Sequence, residues 1–351
     1  MVELFEPGYL GGVRVKNRVV MAAMGTSALD DPGGDWGDRT LAYFRLRAEG
    51  GVGMITTQSV FVSQELEPFT RHSFNVYSDR HLASLECIAR CLHGYDCRLC
   101  VQLTAGFGRV TMMLTPGVAP ISASENPCDR FPQVTTRALT TAEVEALARA
   151  FGRAAKRCRE AGADCVELHG HEGYLLDQFM TALWNRRDDK YGGSPEKRLT
   201  FIREAIQSVR EEAGAALPII YRYGVTHYLP GGRGLEEGLW IATELERMGV
   251  NALHVDAGAK ENSWWPHPPM YQPPGCMLDL AEKVKKATSI PVIAVGRLDR
   301  PQVAERALRE GRADFIAIGR GLLADPEWVN KVKDGKRTTI VPCIGCHDGC
   351  L

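Results

Sequence analysis

The chain has 351 residues, with 42 basic and 43 acidic side chains, a formal charge of −1 and a hydrophobic share of 44%. That length and apolar content suit a globular fold with a sizeable core, and the even charge balance excludes the basic footprint of a nucleic-acid or acidic-membrane binder. No apolar run approaches the roughly 18 residues of a spanning helix, and the first residues lack the basic-then-apolar pattern of a secretory leader, so the expected location is the cytoplasm.

Eight short apolar runs punctuate the chain, at residues 18–24, 53–57, 98–103, 164–169, 218–223, 252–256, 291–295 and 315–318. Their apolarity is continuous rather than alternating, as in strands buried on both faces of a parallel sheet. The stretch 103–137, rich in Gly, Pro, Thr and Ser, reads as an excursion over the mouth of the fold. A helix follows at 141–161, with Thr140 or Thr141 as its cap and Glu143 placed for a capping box. Another is expected at 195–213, with Ser194 as N-cap and Pro195 at its first position. Residues 256–275, with Trp264, Trp265 and several prolines, form a second mouth loop. Gly162, Gly249 and Gly311 each stand between a helix and an Asp or Asn that precedes a strand, where a left-handed residue ends the helix. Strands and helices in this alternation predict a (β/α)₈ barrel, a TIM barrel, over residues 1–335; an open doubly wound sheet is the alternative.

The densest chemistry lies at residues 166–179, which leave the C-terminal end of the fourth strand, the usual catalytic face of a barrel. His169 can donate to a carbonyl oxygen and Tyr174, five residues on, can deliver a proton; His171 stands between them. Polarising a carbonyl while protonating the neighbouring carbon is what conjugate reduction requires. The same spacing also suits a structural histidine. Gly296-Arg297 and Gly319-Arg320 end the last two strands, where barrels bind phosphate; each joins a glycine for close backbone approach to an arginine donor.

The run His169-Gly-His-Glu-Gly-Tyr-Leu-Leu-Asp-Gln-Phe179, followed by Asn185-Arg-Arg-Asp-Asp-Lys-Tyr-Gly-Gly-Ser194, resembles the signature of the old yellow enzyme family, and the resemblance extends over essentially the whole chain. It implies an FMN-dependent enzyme on a (β/α)₈ barrel. Ala23, Met24 and Gly25 then correspond to the segment that packs on the flavin, with Gly25 standing where relatives place a tuning Thr or Cys. Ser59 corresponds to a small residue at the flavin edge, Gln102 to the glutamine on the flavin pyrimidine, and Arg222 to the arginine near flavin N1. Glu172 occupies the second position of the family's His-x-x-(His or Asn) pair. With His171 beside it, this likens the chain to the iron–sulfur branch that includes 2,4-dienoyl-CoA, 2-enoate and bile-acid enoate reductases. Dienoyl-CoA reductases carry a catalytic His after the sixth strand; residues 257–262 contain none, which weighs against that substrate.

Eleven cysteines occur. Eight are scattered and read as buried thiols, an odd total with no leader arguing against a disulfide framework. Cys343, Cys346 and Cys350 form C-x₂-C-x₃-C, which suits an iron–sulfur cluster or, with His347, zinc. The resemblance implies a [4Fe–4S] cluster whose fourth Cys lies further on, with residues 336–351 as the start of a cluster-binding segment. It also implies a fragment of a longer enzyme whose flavodoxin-like and FAD/NAD(P)-binding regions bring FAD and NAD(P)H; no Gly-x-Gly-x-x-Gly fingerprint occurs here.

The expected activity is NAD(P)H-dependent reduction, or formation, of an activated C=C bond in an enone, enoate or enoyl-CoA. Tyr174 is the proton donor, and His169, with His171, the carbonyl anchor. An FMN/iron–sulfur amine dehydrogenase or N-demethylase is the alternative within redox chemistry, and a barrel aldolase or isomerase outside it. The expected partner is a small unsaturated carbonyl compound, with no nucleic acid and no membrane, and a homo-oligomer is compatible with the sequence.

Overall fold

A computed structural model of the chain describes residues 3–25, 34–66 and 74–348. Eight strands form its centre: β1 (Val19–Met21), β2 (Met54–Phe61), β3 (Arg98–Thr104), β4 (Cys165–Gly170), β5 (Ile219–Gly224), β6 (Ala252–Asp256), β7 (Val292–Ala294) and β8 (Phe315–Ile318). Each pairs in parallel with its neighbour in sequence, and β8 pairs in parallel with β1, closing the barrel. All eight coincide with the apolar runs. The largest boundary difference is β2, which continues to Phe61 through a bulge between Thr56 and Ser59. Bulges re-aim side chains at barrel rims, and this one sits at the mouth.

The barrel interior is filled from bottom to top. Val20, Met54, Cys100, Cys165, Ile220, Ala252, Ile293 and Phe315, one from each strand, make an apolar floor. Beneath it a hairpin, Gly8–Leu10 against Val13–Val15, pushes Leu10 and Val15 into the same cluster and plugs the N-terminal end. Two residues further along the strands the lining turns polar, with Gln102, Glu167, Arg222 and His254 all buried.

The outer helices are α1 (Asp38–Glu49), α2 (Leu82–His93), α3 (Thr141–Glu160), α4 (Thr200–Ala213), α5 (Leu235–Arg247), α6 (Leu278–Ala287) and α7 (Pro301–Arg309). α3 opens with the expected capping box, Thr140 and Glu143 serving each other's backbone. Ser194 caps Lys197 N as expected. The helix expected over 195–213 is instead broken at Leu199 into Pro195–Arg198 and α4. Arg198 turns inward there, reaching Gly193 O at 3.0 Å and Glu237 at 2.7 Å, contacts an uninterrupted helix would not allow. Gly162, Gly249 and Gly311 all take positive φ, between 70° and 91°. No helix among the described residues is long and apolar enough to cross a membrane.

Candidate active site

A cavity of about 310 Å³ opens at the C-terminal mouth and is lined from the ends of all eight strands or the loops that follow them. Every catalytic and flavin position named from the sequence lines it: His169, His171, Tyr174, Ala23, Met24, Gly25, Ser59, Gln102, Arg222, Gly296, Arg297, Gly319 and Arg320. Cys343 lines it too, whereas Cys346 is exposed and Cys350 lies outside the described residues.

β4 and its exit loop bring His169, His171 and Tyr174 together. The His169 and Tyr174 rings lie 4.2 Å apart between centroids, and His171 is 5.0 Å from His169. Burial, reinforced for His169 by His171 and Arg222 and for His171 by Arg222, holds both imidazoles well below their ordinary pKa, so both are neutral near pH 7. His169 Nδ1 lies 3.2 Å from Thr104 Oγ1. The Thr104 hydroxyl has one proton and also reaches Gly106 O at 3.3 Å; when that proton goes instead to Nδ1, the ring proton is on Nε2, where it can bond a carbonyl. Tyr174 is the opposite case: burial, with the Glu172 charge beside it, pushes its phenol up to about 12, so it stays protonated. A buried carboxylate fixes the loop's shape. Asp177 accepts from Gly173 N at 2.9 Å and is itself held by Arg233 at 2.7 Å and His227 at 3.1 Å.

Three residues not named as catalytic from the sequence complete the group. Glu172 is held at φ +56, an uncommon value for a side-chain-bearing residue and the kind of local strain found at functional sites. Its carboxylate lies 3.4 Å from Lys260 Nζ and 3.0 Å from His267 Nδ1. Burial opposes its charge, but His267, Lys260, His171 and Arg222 together outweigh that and keep it below the usual carboxylate range. Lys260 Nζ stands 5.4 Å from the Tyr174 ring centroid. His267 corrects one expectation: the loop after β6 does bring a histidine to the cavity, five residues beyond the stretch 257–262. The argument against a dienoyl-CoA substrate from its absence therefore falls. The signal was the histidine inside Trp265-Pro-His-Pro268 of a loop already placed at the mouth.

Beneath the cavity, Asp256 Oδ2 lies 3.2 Å from Arg222 Nε and 2.8 Å from His171 Nδ1, the latter close but off-axis for a hydrogen bond, and Oδ1 is buried without a partner. Burial pushes this carboxyl up to about 7 against the pull of Arg222.

At β7 and β8 the two arginines differ from their expected equivalence. Arg297 directs one guanidinium nitrogen, Nη1, at the carbonyls of Pro269, Met270 and Gln272, and so holds the loop that follows His267. Arg320 Nη2 donates to Pro268 O at 2.6 Å, while its Nη1 is buried with no partner. A buried guanidinium nitrogen left unpaired is costly, and an anion beside Gly319-Arg320 would satisfy it. That orphaned donor, a polar edge at Gln102 and Arg222, and the small Ala22, Ala23 and Ala317 fit a planar cofactor with a phosphate tail such as FMN. The cluster ligands are less complete. Among the described residues no three His, Cys, Asp or Glu side chains gather as a metal site.

The family model of the NADH:flavin oxidoreductase / NADH oxidase family matches residues 3–339. NADH oxidase of Thermoanaerobacter brockii is 39% identical over 99% of this chain and 53% of its own length. Cinnamate reductase of Clostridium sporogenes is 35% identical over 99% of this chain and 55% of its own. A solved 2-naphthoyl-CoA reductase in complex with 2-naphthoyl-CoA superposes with a TM-score of 0.91 at 29% identity, over 99% of this chain and 54% of that one. The chain thus spans about half the length of these relatives. With the match running from one end of the barrel to the other, the chain belongs to the NADH:flavin oxidoreductase / NADH oxidase family, the FMN oxidoreductases of old yellow enzyme type.

Proposed function

We propose that this barrel carries out the reduction of a C=C bond conjugated to a carbonyl, as the catalytic part of an NAD(P)H-dependent ene-reductase. The observation that carries the reading is the pairing of a neutral histidine and a protonated tyrosine, 4.2 Å apart, on the floor of one cavity. FMN bound by Arg320, Gly319, Gln102 and Arg222 would supply the hydride to the β-carbon. His169 holds the carbonyl oxygen and drains charge from the alkene. Tyr174 gives its proton to the α-carbon. His171 stands beside His169 in the same cavity, the two rings 5.0 Å apart, and assists in holding the carbonyl. Lys260 and Glu172 flank the phenol, Lys260 Nζ standing 5.4 Å from its ring centroid, and Glu172 lies 3.0 Å from the part-exposed His267, a route by which the tyrosine would recover a proton from the rim.

A cinnamate reductase and a 2-naphthoyl-CoA reductase among the similar proteins favour an aryl or polycyclic enoate or enoyl-CoA as substrate. In the whole enzyme, Cys343, Cys346 and Cys350 with a fourth thiolate would hold a [4Fe–4S] cluster. FAD and NAD(P)H would be the upstream donors, and the cytoplasm the working compartment.

The test is the alkene half-reaction of photoreduced enzyme against a panel of enones, enoates and N-methyl amines. Tyr174→Phe is expected to take up electrons normally and to reduce the alkene roughly 100-fold more slowly, the usual worth of a general acid. An unchanged alkene rate removes Tyr174 as donor. Indifference to every alkene, with amines reducing the oxidised enzyme, replaces the reading by amine dehydrogenation. A protein that binds no FMN would return the field to non-redox barrel chemistry.

A further inference from the structure

The polar layer beneath the cavity contains a carboxylate to which nothing above assigns a task. Glu167, from the middle of β4, has no exposed surface. Its Oε1 accepts from Gln102 Nε2 at 2.8 Å, and its Oε2 lies 2.8 Å from His254 Nδ1. Gln102 and Glu167 are register partners on neighbouring strands, and Arg222 and His254 are register partners on the next pair. The main chain of Gln102 is pinned as well, its N–H donating to Thr57 Oγ1 at 3.1 Å. Gln102 itself lines the cavity; Glu167 does not.

A glutamine amide can present either its oxygen or its nitrogen to a neighbour, and the two ends are similar in shape. A carboxylate only accepts hydrogen bonds, so beside Glu167 only the nitrogen end of Gln102 is allowed. Glu167 does stay a carboxylate. Burial alone would raise its pKa, but His254, Arg222 and the Gln102 amide outweigh burial and bring it to about 2. The carbonyl oxygen and second N–H of Gln102 are then left for whatever fills the cavity.

We infer that Glu167 is a positioning residue that locks the Gln102 amide in one orientation and so fixes the donor–acceptor pattern offered to the pyrimidine edge of the flavin. This rests on FMN being the occupant. Replacement by glutamine keeps the shape and reverses the logic. His254 Nδ1–H takes the new carbonyl oxygen, the new NH₂ faces Gln102, and Gln102 must turn its oxygen towards it and present its NH₂ to the cavity.

The experiment measures FMN affinity, the flavin spectrum and the flavin midpoint potential in wild type, Glu167→Gln, Gln102→Met and the double variant, with circular dichroism and melting to follow the fold. FMN dissociation constants about tenfold higher are expected for each single variant. The double variant should bind no worse than Gln102→Met, because the lock has no other route to the flavin. The midpoint potential of Glu167→Gln should move upward, since a buried negative charge near the ring has gone. A Glu167→Gln protein that is merely less stable, with wild-type FMN affinity and potential, overturns the inference, as do additive losses in the double variant. Should Glu167→Gln not fold, Gln102→Met decides alone: wild-type FMN affinity leaves nothing to lock. A wild-type protein that takes up no FMN fails the underlying reading instead, and the two failures are told apart on the unmutated protein.

Discussion

Asp256 is a buried carboxyl whose ionisation falls near neutral pH. Its folded pKa of about 7 lies above the roughly 3.9 of an unfolded aspartate. A raised carboxyl stabilises the fold fully below the unfolded value, and that contribution is lost as pH rises through the folded one. Asp256→Asn removes the titration. The melting temperature of the variant relative to wild type should therefore climb between pH 5 and pH 8, and a flat or falling difference would refute the assignment. The same residue shows what a motif reveals and what it does not. His169 and Tyr174 were legible because they belong to a recognisable run leaving the end of β4, and Gln102 and Arg222 through the resemblance. Glu167 and His254, 87 residues apart, meet only because the barrel closes, and neither has a spacing that announces the other. Lys260 and His267 come from a loop whose course follows from proline and aromatic packing rather than periodicity, and only its place at the mouth was readable. Of the thirteen cavity positions, seven were readable from their place at strand ends and six came from the resemblance; the charges that tune them had to be seen in space.

At the scale of elements, α3 and α4 pack so closely that Gly152 touches Ser208. A Cβ at residue 152 would lie 2.2 Å from Ser208 Oγ and 2.5 Å from its carbonyl oxygen. Alanine gains up to about 1 kcal/mol of helix propensity, but overpacking against a backbone atom costs about 1–3 kcal/mol. Gly152→Ala should thus lower the melting temperature while leaving the flavin spectrum intact, and a stabilised variant would show that the helices can part freely. The eight strands were legible because both faces are buried and their apolarity is unbroken. The break at Leu199 was not, since nothing in a helical period says that Arg198 must turn towards Glu237. The second half of the long signature proves to be a clamp. Asn185 bonds the carbonyls of Phe179 and Tyr191, and Arg187 bonds those of Ala123 and Leu139, fastening the excursion after β3 to the loop after β4.

At the scale of the whole molecule, the barrel is built to be stable below and open above. The apolar floor and the hairpin seal one end, and at the other stand unpaired polar atoms of His171, Glu172, Asp256, His267 and Arg320. Filling the mouth should stabilise the whole. FMN added to stripped protein at about 100 times its dissociation constant is worth about 2.7 kcal/mol, a rise of a few degrees in melting temperature for a domain this large. No rise would mean that FMN does not bind the folded barrel.

The plug of Leu10 and Val15 also has a kinetic meaning. A tube stoppered at its foot opens at its mouth, and the cavity lies just inside that opening. Spent molecules must back out through the passage by which fresh ones arrive, so each departure clears the way for the next arrival, and a reluctant product queues against its own precursor.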